Sequence, residues 1–164
     1  MADTLATAEK STLVFPIRNG VVWLAEKKRK VGAGLLNGYG GKLDEADGGS
    51  IRLCACREFR EESGVSISPG AELQKMAIVR FFEEAMEIFE CHVYFVDHWE
   101  GELRETEQMG RPESHPLWNV PYHLMMPADA VWLKLVFAGR RFKGNVYYGA
   151  GNKEFLKFEE AGPL

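Results

Sequence analysis

Residues 40–65 read GGKLDEADGGSIRLCACREFREESGV, a glycine-rich turn running into a short segment dense in carboxylates. Ser50 is a good residue to cap a helix N-terminus, and Gly64 suits the position just past a C-terminus. A helix is therefore predicted from near Ser50 to Gly64. At about 3.6 residues per turn, Glu58, Glu61 and Glu62 fall on one side of it. Like charges one turn apart repel and weaken a helix. A hard divalent cation held through oxygen ligands offsets that repulsion. Glu58 and Glu62, one turn apart, are the principal metal-ligand candidates. Glu61 is a ligand or a general base, and Arg57 is expected to orient Glu61. On this segment alone, an exposed helix with solvated charges and an Arg57–Glu61 pair is the competing account.

Upstream lies VGAGLLNGYGGK (31–42), with glycines at 32, 34, 38, 40 and 41. Such a loop lets backbone approach a ligand closely. Before it, STLVFPI (11–17) and VVWLAE (21–26) flank Arg18-Asn19-Gly20, a strong hairpin signal. Pro16 predicts that the first strand ends, bulges or lies at an edge there. Downstream, 73–82 and 87–96 read as an antiparallel pair, and 97–115 as polar and irregular. A short strand is expected over 117–120. Pro127 opens a second helix over about 128–138, ended by Gly139, with Trp132, Leu135 and Val136 on one face. Residues 142–148 and 153–158 form a last hairpin turned at 149–152. Residues 1–10 are expected to be extended or disordered. Strands interleaved with two helices predict an α/β sandwich forming one domain over 1–164.

The formal net charge is −4, with basic residues scattered. A stable grip on nucleic acid needs a basic face, so none is expected. The dense basic run Lys27-Lys28-Arg29-Lys30 suits either a few phosphates of a small ligand or a solvated loop. Cys54, Cys56 and Cys91 follow no disulfide or zinc spacing and are expected to be buried, reduced thiols. No Ser-His-Asp arrangement is defensible: His92 lies in a strand pattern, and His98, His115 and His123 in loops. No leader pattern and no run of ~20 apolar residues is present. The expectations are a cytoplasmic location, no membrane association, and a monomer or homodimer.

The pattern from Gly41 to Arg57-Glu58-Phe59-Arg60-Glu61-Glu62-Ser63-Gly64-Val65 resembles the Nudix box, whose second half it fits at every fixed position. The first half departs. Asp47 stands where the family has Glu, and the gap to Arg57 is two residues longer than in the pattern, which reads as a small insertion at Asp47-Gly48-Gly49 before the helix. The resemblance implies an α/β/α sandwich with a mixed sheet between helices. It also implies Mg²⁺ as cofactor, Mn²⁺ as an alternative, and the Gly40 carbonyl as a further ligand. Such a metal bridges phosphate oxygens and lowers the pKa of bound water, while a carboxylate positions that water or takes its proton.

The resemblance extends to Lys27–Lys42, to Pro121-Tyr122 through Met125-Met126-Pro127-Ala128-Asp129 with Trp132, and to Arg140–Gly144. Together these are similar to the MutT-like branch that hydrolyses oxidised purine triphosphates such as 8-oxo-dGTP to monophosphate and pyrophosphate. It implies a small nucleotide substrate contacted by Asn37, Lys27, Gly41, Lys42, Phe81, Phe89, Met126 and Asp129. Ala128 stands where that branch has a first Asp, and Met126 where it has Trp. Loss of an indole removes stacking of ~1–3 kcal/mol per base, so altered or relaxed base selectivity is expected. Gln108 occupies the place of a further glutamate, for which Glu107 or Glu113 would substitute after a loop shift. The alternatives are a nucleotide sugar, dinucleoside polyphosphate or RNA cap as substrate, or an inactive nucleotide-binding module.

Overall fold

The computed structural model describes residues 8–164. The expected extended or disordered N-terminus falls mostly on residues 1–7, outside the described residues. Strand β1 (Glu9–Arg18) already includes residues 9 and 10. It turns into β2 (Val21–Glu26) through Asn19 and Gly20, both at positive φ (54° and 73°). That geometry matches the twist of a tight hairpin.

β1 does not stop or bulge at Pro16, nor is it an edge strand. After only two residue pairs with β2 it runs parallel to β6 (Met86–Val96) from Glu9 to Pro16. The N–H groups of Thr12 and Val14 point to the glycine loop. By strand alternation the missing N–H of Pro16 faces the same side, in the gap before β2 pairing begins.

β5 (Gln74–Glu83) pairs antiparallel with β6 through a turn at Glu84 and Ala85. The glycine loop contributes the two-residue β3 (Leu36–Asn37). The acidic helix is α1 (Ile51–Ser63), followed by β4 (Ser66–Ile67). β4 pairs with β7 (Trp99–Glu100) in a small second sheet inside what reads as irregular sequence. The strand expected over 117–120 lies earlier, at β8 (Glu113–Pro116), which pairs with β2 and carries His115. Its polar residues lie at a sheet margin and show no apolar alternation.

The second helix is broken. A 3-10 turn over Pro127–Ala130 meets α2 (Trp132–Phe137) at Val131, whose φ and ψ are −105° and −67°. β9 (Phe142–Tyr148) and β10 (Phe155–Gly162) close the chain as an antiparallel pair.

The main sheet has the order β10-β9-β5-β6-β1-β2-β3, with β8 added to β2. β1–β6 and β5–β9 are parallel and the other pairs antiparallel, so the sheet is mixed. Successive side chains point to opposite faces. Val14 joins Tyr39, Ala55 and Phe59 on the α1 face, while Phe15 joins Trp132, Leu133, Val136 and Phe137 on the α2 face. Phe15 meets Phe137 edge-on at 5.1 Å, and Tyr39 meets Phe59 edge-on at 5.6 Å. The sheet is thus sandwiched between two apolar layers, as the α/β/α reading requires. Cys54 and Cys91 are buried free thiols, whereas Cys56 is only half-buried. Among the described residues no helix is long and apolar enough to cross a membrane.

Candidate active site

Local capping sets the helix that carries the acids. The Ser50 hydroxyl accepts the Leu53 N–H at 3.1 Å, and Gly64 ends α1 in the left-handed conformation. The insertion before α1 is absorbed by Gly48 and Gly49, both at positive φ. Asp47 therefore keeps its place. It is buried and accepts from Arg57 Nε at 2.8 Å and Nη2 at 2.9 Å, a bidentate pair. The guanidinium beside it holds the Asp47 carboxyl down at about 2, against the opposing effect of burial. Arg57 also donates to Glu58 at 2.9 Å, Glu61 at 3.2 Å and the Lys42 carbonyl at 3.2 Å. It orients three carboxylates and the loop, where the sequence suggests Glu61 alone.

Glu58 and Glu62 are buried against the glycine loop. Glu62 Oε1 accepts the Gly40 N–H at 2.9 Å. The Tyr39 and Gly41 carbonyls accept from Val14 and Thr12 on β1, so by alternation Gly40 between them faces α1. Contact here is too close for a side chain: a Cβ on Gly40 would lie 1.9 Å from the Thr12 carbonyl oxygen, and one on Gly41 would lie 2.6 Å from the Glu58 carboxyl carbon. Burial pushes Glu62 up to about 7; the Gly40 N–H opposes this and nearby Glu58 adds to it. Burial also raises Glu58, opposed by Arg57.

The three acids are not gathered equally. Glu61 stands at the rim with 41% of its side chain exposed, turned toward Arg57. Among the described residues no three acidic, histidine or cysteine side chains converge closely enough to enclose an ion. Magnesium does not require that. It keeps several waters and is usually held by one or two carboxylates plus substrate phosphates. Glu58 and Glu62 each commit one oxygen to the hydrogen bonds described, and both resist ionisation through burial. Such a pair fits a divalent cation.

Glu62 opens into a cleft of about 430 Å³. At this end the lining includes Gly40, Gly41, Lys27, Lys30 and Lys42. Burial lowers the Lys27 ammonium, with Glu62 opposing. Lys42 pairs with Glu9 at 2.7 Å and lies 5.7 Å from the Phe89 ring. Asn37, Phe81 and Phe89 line the middle. Asn37 Oδ1 accepts the Gly38 N–H at 2.8 Å, which leaves its NH₂ group to face a ligand.

Beyond Phe81, on the α2 side of the sheet, the far end is lined by Asp129, Trp132 and Tyr148, while Met126 lines the cleft near Lys27. Asp129 Oδ1 accepts the Trp132 indole N–H at 3.1 Å. Burial pushes Asp129 up to about 7, with that indole bond opposing. Trp132 is edge-on to Phe81 at 5.9 Å. The Tyr148 hydroxyl accepts the Ala128 N–H at 3.0 Å.

All eight expected substrate-contact residues line this one cleft, together with Gly40 and Glu62. Arg57, Glu58 and Glu61 lie behind or beside it. Glu107 and Glu113 do not reach it. Lys27 bridges to Met109 and the Lys28 N–H meets the Gln108 carbonyl at 3.1 Å, which sets a register that turns Gln108 inward. Glu107 is exposed, and Glu113 sits on β8 opposite Leu24. Sequence reasoning passes over Thr12, Cys91, Tyr148 and Asn152, which also line the cleft. The alternating burial of β9 puts Phe142, Gly144, Val146 and Tyr148 on one face. That period was a usable signal for Tyr148.

The fold and cleft define an α/β sandwich whose capped helix presents buried acids to a lysine-bearing cleft. The NUDIX domain family matches residues 8–141, and the chain belongs to that family. It is 35% identical over 139 residues to the oxidized purine nucleoside triphosphate hydrolase of Danio rerio, covering 84% of this chain and 85% of that protein. The Mus musculus protein of the same name is also 35% identical, covering 86% and 87%. Among solved structures, the MutT protein of Bacillus halodurans superposes with a TM-score of 0.73 at 22% identity, over 93% of this chain and 97% of that one. At that identity the likeness is one of fold.

Proposed function

We propose that this protein is a Mg²⁺-dependent pyrophosphohydrolase of purine nucleoside triphosphates, oxidised ones included, yielding the monophosphate and pyrophosphate. One observation carries the reading: a single cleft is lined by Glu62 from α1 with lysines, and by Asp129 with aromatic rings from the α2 layer. A nucleotide carries matching groups, phosphates at one end and a ring with hydrogen-bonding edges at the other. The names of the vertebrate relatives support the same substrate class.

In this reading Glu58, Glu62 and the Gly40 carbonyl would hold the metal, which would supply charge neutralisation at phosphate oxygens and a more acidic water. Lys27, Lys30 and Lys42 bind the phosphate chain. Glu61, half-exposed and held by Arg57, takes the proton of the attacking water. A P–O bond forms from that water as the anhydride bond between the α and β phosphates breaks, and pyrophosphate leaves. Asn37, Asp129, Phe81 and Met126 hold the base.

The test is product identification from purified protein with Mg²⁺ and a panel of 8-oxo-dGTP, dGTP, dATP and nucleotide sugars. Pyrophosphate is expected from the purine triphosphates, and Glu62→Gln is expected to abolish its release. Faster turnover of a nucleotide sugar than of any triphosphate would transfer the same chemistry to another substrate. Release that survives both Glu61→Gln and Glu62→Gln would overturn the mechanism.

A further inference from the structure

Ala128, next in the chain to the cleft-lining Asp129, supplies only a buried methyl group. Its backbone N–H finds its partner far away in the chain. Tyr148 reaches across from the end of β9, and its hydroxyl oxygen accepts the Ala128 N–H at 3.0 Å. That bond uses a lone pair and leaves the hydroxyl proton uncommitted; among the described residues the group accepts and does not donate. The ring is 2% exposed, yet it forms part of the cleft wall. A buried hydroxyl with an unspent proton needs an acceptor.

Asp129 is a poor candidate for that acceptor in the free protein. No hydrogen bond joins it to Tyr148, and its Oδ1 already takes the Trp132 indole N–H. The acceptor is best supplied by whatever fills the cleft. Burial also holds the phenol far from ionisation, so it stays a donor at every working pH. The position is fixed rather than adaptable. β9 is locked between β5 and β10, the ring packs edge-on to Phe155 at 6.1 Å, and the Ala128 bond pins the oxygen.

Resting on the proposed substrate class, we propose that Tyr148 is a base-reading residue whose hydroxyl donates a hydrogen bond to an exocyclic carbonyl oxygen on the purine. Beside it Asp129 offers its second carboxylate oxygen, and Asn37 its amide NH₂. Together with Asn37 from the middle of the cleft, the lining presents two donors and one carboxyl. That pattern favours a purine bearing a carbonyl over one bearing only an amino group at the same edge. The favoured class includes guanine and its oxidised forms. A site built to hydrogen-bond a substrate group discriminates against analogues lacking it, because a buried polar atom is then left unpaired.

The experiment compares Tyr148→Phe with wild type on two substrates, 8-oxo-dGTP and the triphosphate of unsubstituted purine deoxyriboside, which has no exocyclic carbonyl. The variant is expected to lose roughly 5- to 10-fold in kcat/KM on 8-oxo-dGTP, mostly through KM, and to change little on the unsubstituted purine. Thermal unfolding is measured in parallel, since the Ala128 N–H also loses its partner. A purely structural role would lower stability and depress both substrates alike, which overturns the assignment. Unchanged kinetics on both overturns it as well. Should the variant fail to fold, a crystal structure of wild type with 8-oxo-dGMP decides. The Tyr148 oxygen within about 2.5–3.0 Å of a base carbonyl supports the assignment, and a separation beyond hydrogen-bond reach removes it. Failure of wild type to hydrolyse either triphosphate would instead count against the proposed function, a result visible before any variant is made.

Discussion

The two ends of the cleft each bury an acid whose ionisation is pushed up to about 7, and they do so for different purposes. Glu62 sits one turn from a second buried acid, Glu58, with Gly40 N–H on one oxygen. Asp129 is buried on the α2 side of the sheet, away from other acids, with the Trp132 indole as its main donor. Two neighbouring carboxylates that resist ionisation form a site for a cation, because a cation relieves both burial and mutual repulsion. One isolated carboxyl that resists ionisation is a hydrogen-bonding group able to present a proton. In the proposed function the same perturbation would serve metal binding in one place and base recognition in the other. What separates the cases is the company each acid keeps.

The contrast is broken most severely by Glu62→Gln. Removing this proposed metal ligand is expected to abolish pyrophosphate release. The same exchange at the other end, Asp129→Asn, is expected to change mainly KM. Equal losses of kcat at both ends would erase the distinction.

Next in size is Arg57→Ala, which leaves the buried Asp47 carboxylate without its cation and with only the Asp44 N–H. Breaking such a pair costs about 3–5 kcal/mol, measurable by denaturant unfolding near neutral pH. The sign with pH follows from the depressed carboxyl. Asp47 stabilises the fold above its unfolded value near 3.8, and that contribution is lost as pH falls toward about 2. Wild type should therefore weaken across that window more than Arg57→Ala does. Gly40→Ala should cost about 3 kcal/mol, since its Cβ would overlap the Thr12 carbonyl and force β1 and the loop apart. Loss of melting temperature together with activity is the expected readout.

The smallest effect sharpens the comparison at the base end. Asp129 is raised from 3.8 to about 7 in the folded protein. Below about pH 4 it is protonated in both states. As pH rises from about 4 to 7 the unfolded chain ionises first, so stability falls through that window. Asp129→Asn should flatten this slope in metal-free protein, and should cost roughly 10-fold in kcat/KM for purine triphosphates near neutrality. An unchanged slope would show that Asp129 ionises normally.

The phosphate end was largely legible in the chain because its residues are contiguous. A capped helix repeats faithfully from its sequence, so Ser50, the Glu58–Glu62 spacing and Gly64 placed the acids before any coordinate was known. The base end was not legible in the same way. Asn37, Phe81 and Tyr148 come from three strands and Asp129 from a 3-10 turn, and only sheet order brings them together. The broken second helix shows a related limit. Its apolar residues fit one continuous helix over 128–138, yet the chain kinks at Val131 so that Asp129 and Trp132 can meet. Glu61 marks the opposite error. Helical spacing groups it with Glu58 and Glu62, but Arg57, clamped by Asp47, draws it to the rim.

By itself the sequence determined the acidic helix, its caps, the glycine loop against it and the family, because those depend on neighbours within a few turns. Tertiary structure alone decided which acids face the cleft, that Gln108 rather than Glu107 turns inward, and that Tyr148 stands over Ala128. Those outcomes depend on burial and strand register, which are set by residues far apart in the chain and carry no local signature.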